Sequence, residues 1–115
     1  MKVFLICLLS VISTVCLSQD CKNLPTSFSS YSAAITAVKN ASFAISETAN
    51  TTNSSWITSA EYYSCDGSKG YFIFSTNDGY EYIHKGVPIS VWRGFKSAAS
   101  KGTYYTQNIK GRYQM

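Results

Sequence analysis

One histidine, six acidic side chains and four cysteines are the groups in this 115-residue sequence that can do acid–base, metal or thiol chemistry. General acid–base catalysis needs a tuned group within hydrogen-bond reach of a partner. His84 is the one imidazole, so a hydrolase reading would rest on it alone. Asp66 and Asp78 fall in turn-forming stretches, Cys65-Asp66-Gly67-Ser68 and Asn77-Asp78-Gly79, where short acidic side chains serve the backbone. Glu61 and Glu81 read either as cross-strand neighbours or simply as members of a solvated sheet face. No serine stands at a suggestive spacing from a histidine–acid pair, and the sequence has no Gly-rich phosphate loop and no metal signature. No catalytic residue and no metal or other cofactor is expected.

Binding chemistry is better represented. The formal net charge is +4, and from Tyr82 onward there is no acid, whereas Lys85, Arg93, Lys96, Lys101, Lys110 and Arg112 are basic. Trp92, Tyr104, Tyr105 and Tyr113 are interleaved with these cations. Cations meet charge and rings offer stacking faces, so this composition suits a polyanion, a nucleic acid or a glycan. The candidate binding residues are Tyr80, Tyr82 and His84, which period-two alternation puts on one strand face, with Arg93, Lys96 and Lys101 beyond them. The alternative is a structural or protein-interaction domain, in which the cations serve solubility and the tyrosines pack.

Residues 1–18 read as a cleavable export signal. Lys2 precedes an apolar run from Val3 to Val15, broken only by Ser10, Ser13 and Thr14, and Cys16-Leu17-Ser18 places small residues before a cut at Gln19. The run is too short to span a bilayer, so no membrane span is expected after its removal, and the expected location is secreted or periplasmic. Cleavage leaves Cys21 and Cys65. Two cysteines in a small exported chain favour one disulfide. Its loop of a little over forty residues gives a stabilisation of roughly 4 kcal/mol in the chain-entropy model. A zinc site would need more ligands than His84 can add to two thiols. The mature chain is expected to be a monomer.

These groups must be positioned by short elements. Phe28, Tyr31, Ile35 and Val38 recur at helical spacing, with Ser27 or Ser29 as cap and Asn40 as stop. Ser42 to Thr48 alternates as a short strand with Phe43 and Ile45 on one face. A polar stretch to Ser55 follows; it contains Asn50-Thr51-Thr52 and Asn53-Ser54-Ser55, which with Asn40-Ala41-Ser42 fit the glycosylation pattern. From Trp56 the pattern is a meander: strands over 56–63, 71–75 and 80–84, with the Asn77-Asp78-Gly79 turn joining the last two. Pro88 opens a helix whose stripe is Val91, Trp92, Phe95 and Ala99, and Gly102 is its expected end. Residues 103–115 read as an irregular tail packed back through Tyr104, Ile109 and Tyr113.

Seven pieces in this order match a known module: Tyr62-Tyr63, Tyr71-Phe72-Ile73-Phe74, Tyr80-Glu81-Tyr82, Val87-Pro88, Ala98-Ala99-Ser100-Lys101-Gly102, Tyr104-Tyr105, and Ile109 with Tyr113. In order and spacing, Trp56 to Tyr113 resembles the KTSC domain, a module found at the carboxyl end of some lysyl-tRNA synthetases. That context implies RNA binding as one expectation, and the resemblance brings no catalytic residues with it. The expected organisation is a signal over 1–18, a helix–strand extension over 19–55 and a KTSC-like domain over 56–115. The expected fold class is α+β: an amino-terminal helix, an antiparallel meander of three to four strands, and a carboxyl-terminal helix packed on the sheet.

Overall fold

The computed structural model describes residues 19–115, so the export signal expected over 1–18 lies outside the described residues. The fold is α+β. Strand β1 (Gln19–Asp20) leads into a 3-10 turn (Cys21–Asn23) and helix α1 (Tyr31–Lys39). Strand β2 (Ala41–Ser42) pairs in parallel with β1, with Gln19 opposite Ala41 and Asp20 opposite Ser42. Strands β3 (Ile45–Thr48), β4 (Ile57–Ser64), β5 (Lys69–Thr76) and β6 (Glu81–Pro88) form one antiparallel sheet in sequence order. Helices α2 (Ile89–Ser97) and α3 (Lys101–Asn108) complete the chain.

The sheet is covered on both faces. Ala34, Ile35 and Val38 of α1 meet Ile73 and Ile83 on one side, with Leu24, Phe28, Phe43 and Met115 around them. On the other side Trp92 and Phe95 of α2, with Tyr105 and Ile109, close over Tyr62, Phe72 and Phe74. Strand β5 is central and sandwiched, which is why Phe72, Ile73 and Phe74 are buried in succession where a one-sided strand would alternate. Near the middle of β6 a bulge opens between Gly70 and Phe72 of the β5 pairing. Gly86 has φ +70° there, a left-handed conformation that suits a residue without Cβ.

Several local expectations are corrected. The cap of α1 is Ser30, whose hydroxyl accepts from the Ala33 amide at 3.1 Å, rather than Ser27 or Ser29. Tyr31 opens that helix but is 52 % exposed, so the buried stripe begins at Ala34. Phe43 and Ile45 do not share a face, because a break at Phe43–Ala44 separates β2 from β3. Phe43 packs with Tyr63 on the α1 side and Ile45 on the α2 side. Pro88 is the cap of α2 rather than its first residue. Gly102 does not end that helix: α2 stops at Ser97, and Gly102 lies buried inside α3. A second helix therefore runs from Lys101 to Asn108, and the tail read as irregular is helical from Thr103 to Asn108. The Ser100 hydroxyl caps it, accepting from the Thr103 amide at 3.3 Å.

Glu61 and Glu81 are likewise not cross-strand neighbours, since β5 runs between them. They are joined from above by Lys39 of α1, whose ammonium lies 2.8 Å from Glu81 and 3.9 Å from Glu61. The Glu81 bond is the main reason that the Lys39 pKa is raised. Cys21 and Cys65 form a disulfide with their Cα atoms 5.9 Å apart, tying the 3-10 turn to the β4–β5 hairpin. No helix among the described residues is long and apolar enough to cross a membrane.

Candidate functional site

The turn Asn77–Gly79 folds β6 back on β5 so that Tyr82 stands opposite Phe74. Their rings stack at 5.2 Å with an interplanar angle of 24°. Phe74 is buried, while Tyr82 keeps 36 % of its surface in solvent. Trp56 meets Phe74 edge-on at 6.2 Å from its other flank, and Tyr105 tilts against Phe74 at 4.6 Å from α3. Together these rings line a groove of about 440 Å³, with Asp78 and Lys110 among the polar groups at its rim. That volume falls within the roughly 300–1,000 Å³ of small-ligand clefts.

Hydrogen bonds hold the Trp56 backbone and the Tyr105 hydroxyl in place. The Asn77 amide donates to the Trp56 carbonyl at 3.0 Å, and Asn77 Nδ2 donates to the Ser55 carbonyl at 3.3 Å. The hairpin that carries Tyr82 thus also anchors the loop that carries Trp56. Gly102 lets the indole approach α3 closely, for a Cβ at that position would collide with Trp56 Nε1. Behind the groove, His84 Nδ1 is 2.8 Å from the Tyr113 carbonyl and Nε2 is 3.0 Å from the Tyr105 hydroxyl. A carbonyl only accepts, so Nδ1 carries the proton and the Tyr105 hydroxyl donates to Nε2 of the neutral ring. His84 therefore positions Tyr105 and pins the carboxyl-terminal tail, leaving neither nitrogen directed at the groove.

Burial lowers the His84 pKa below its ordinary 6.5, and the Tyr113 carbonyl, which favours the charged ring, offsets part of that. The unfolded chain then binds a proton at a pH where the folded ring does not. Stability from the neutral ring is full above about pH 6.5 and is lost as pH falls from there toward the lowered folded value. The unfolding midpoint is expected to decline on acidification through that window, and His84→Gln should flatten this limb. An equal slope in the variant would contradict the assignment.

The six residues singled out in the sequence do not converge. Tyr82 lines the groove and His84 stands behind it. Tyr80 is 64 % exposed and lines a separate groove beside α1. Arg93 and Lys96 are exposed on α2, where Lys96 pairs with Glu47 at 2.8 Å. Lys101 donates to the Lys96 and Ala98 carbonyls at 3.0 and 3.1 Å, closing the end of α2. The basic stretch is thus largely engaged: Lys85 donates to the Thr26 carbonyl at 2.6 Å and Arg112 to the Gln107 carbonyl at 3.2 Å. Lys96, followed by the Trp92 indole, holds the Glu47 carboxyl below the usual carboxylate range.

Sequence reasoning missed Trp56, Phe74, Tyr105, Asp78 and Lys110 as a group. Phe74 was within reach, since a hairpin centred on Asp78 places it across from Tyr82. Tyr105 stood out only as one of several rings among the carboxyl-terminal cations, and Trp56 arrives from a distant segment with no local signal. The metal ligand set weighed above does not form either. Among the described residues the cluster with ligand atoms close together is Asp20, Cys21 and Cys65, without His84, and both its sulfurs are in the disulfide.

The KTSC domain family model matches residues 53–113, just over half of the chain, and this span includes every ring of the groove. No curated protein and no solved structure matches the chain.

Proposed function

The chain belongs to the KTSC domain family, and from that premise we propose that it is a non-catalytic binding module of an exported protein whose aromatic groove stacks the apolar face of a neutral sugar ring. The observation that carries this reading is the half-exposed Tyr82 ring, stacked on buried Phe74 and flanked by Trp56, with a carboxylate at the rim. An exposed ring over a rigid aromatic floor presents a flat apolar face, and rim carboxylate, amide and ammonium groups bond to hydroxyls around it. The Cys21–Cys65 disulfide supports an oxidising compartment.

Nucleic acid is the other ligand that stacks on rings, and two features weigh against it. Phosphate recognition needs free cations along a track, yet four of the six carboxyl-terminal cations are bonded within the fold. Asp78 at the rim would also repel a phosphate, an effect that Lys110 at the same rim offsets in part.

Tyr82→Ala is expected to keep the fold and weaken binding of a neutral oligosaccharide roughly tenfold, equivalent to about 1.4 kcal/mol. Replacing Arg93, Lys96 and Lys101 together by Gln should leave that affinity unchanged, with little salt dependence in either protein. Calorimetric titration across salt distinguishes the outcomes. A steep salt slope that the triple variant relieves would instead assign the site to the basic surface and a polyanion.

A further inference from the structure

Three large hydrophobic side chains stay exposed among the described residues: Tyr31 at 52 %, Tyr80 at 64 % and Tyr82 at 36 %. Single surface aromatics are ordinary, but these gather around one hairpin. Tyr82 belongs to the groove on the α2–α3 face. Tyr80, two residues earlier, lines a second groove of about 360 Å³ beside α1, with Tyr31, Ser32, Thr36 and Glu81. The turn between β5 and β6 contributes to both, Asn77 and Asp78 to the first and Gly79 to the second. Strand β6 is an edge strand, so no further strand separates the grooves.

We propose that the two grooves are subsites of one binding track, and that its ligand is a neutral oligosaccharide chain long enough to pass over the hairpin edge from Trp56 and Tyr82 to Tyr80 and Tyr31. This rests on the reading of the first groove as a sugar site. The second groove offers the same chemistry: phenol faces for the apolar side of a sugar ring, the Ser32 and Thr36 hydroxyls, and a carboxylate acceptor in Glu81. Lys39 holds that carboxylate in place at 2.8 Å. A chain that fills both subsites gains from the second contact what a short ligand cannot, because the second event is intramolecular.

The test uses the oxidised protein with β-1,4-linked glucose and N-acetylglucosamine oligomers of about two and about six sugars. The longer oligomer of the recognised sugar is expected to bind at least about tenfold more tightly than the shorter. The double variant Tyr31→Ala/Tyr80→Ala should remove that gain and leave the short-oligomer affinity unchanged, whereas Tyr82→Ala weakens both lengths. Both replaced rings are more than half exposed, and an unchanged unfolding midpoint in the double variant verifies that the fold is kept. Equal affinity for the two lengths, or a full gain in the double variant, overturns the track and leaves the first groove standing. Failure of every oligomer to bind overturns both.

Discussion

Trp92→Ala is expected to lower stability by about 3–5 kcal/mol, the usual result of removing a buried aromatic and leaving a cavity. Trp92 is fully buried, and its ring stacks on Tyr62 at 5.3 Å and 10° and on Phe95 at 5.9 Å and 15°. Phe72 approaches it edge-on at 5.9 Å. Its indole also donates to Glu47 Oε1 at 2.8 Å, linking α2 to the edge strand β3. A small domain has roughly 5–15 kcal/mol in total, so this one side chain accounts for a large share. Trp92→Phe keeps most of the ring and loses the hydrogen bond, for an expected effect of about 1–3 kcal/mol from the bond and the smaller volume. Denaturant unfolding measures both, and an alanine variant within about 1 kcal/mol of the parent would show that the α2 side is not the main core.

Removal of the Cys21–Cys65 bridge is the second large effect. The two residues are 44 apart in sequence, and cutting such a loop free in the unfolded state costs roughly 4 kcal/mol. The native contacts that remain to hold the amino-terminal segment are slight. Strand β1 is two residues long and exposed, and beyond it Leu24 and Phe28 are only partly buried against the second core. The bridge joins the β4–β5 hairpin, at the opposite end of β5 from the Asn77–Gly79 turn. Cys21→Ser/Cys65→Ser should therefore lower the unfolding midpoint sharply while the folded protein retains the proposed sugar affinity at low temperature. Two free thiols in the oxidised protein, or a midpoint indifferent to reductant, would contradict the bridge.

Much of the sheet was legible because its signals are local. The Asn77-Asp78-Gly79 turn, the alternation through Tyr82 and His84, and the apolar run at Phe72–Phe74 each read out over a few residues. Helix α3 was not legible, since Gly102 looks like a stop and Lys101 to Asn108 has little apolar character. Only its packing on Trp56 shows why a residue without a side chain sits inside it. The split of Phe43 from Ile45 likewise follows from the break between β2 and β3, where each strand is claimed by a different partner. For the site, alternation placed Tyr82 and His84 on the face where they stand. It misled for Tyr80, which precedes the strand and turns to the α1 side. The cations read as uncompensated because the acid that pairs with Lys96, Glu47, lies 49 residues earlier and meets it only in the folded sheet.

The most direct test of the groove is an indole N–H titration, because the two tryptophans report on different places. Trp56 lines the groove, whereas Trp92 is fully buried on Glu47 and serves as an internal control. On addition of a neutral β-1,4-linked oligosaccharide, the Trp56 indole and the Tyr82 amide should shift together and saturably while the Trp92 indole stays in place. A silent Trp56 with every oligosaccharide, alongside shifts at Arg93 and Lys96 on addition of single-stranded RNA, would contradict the account and move the site to the outer face of α2.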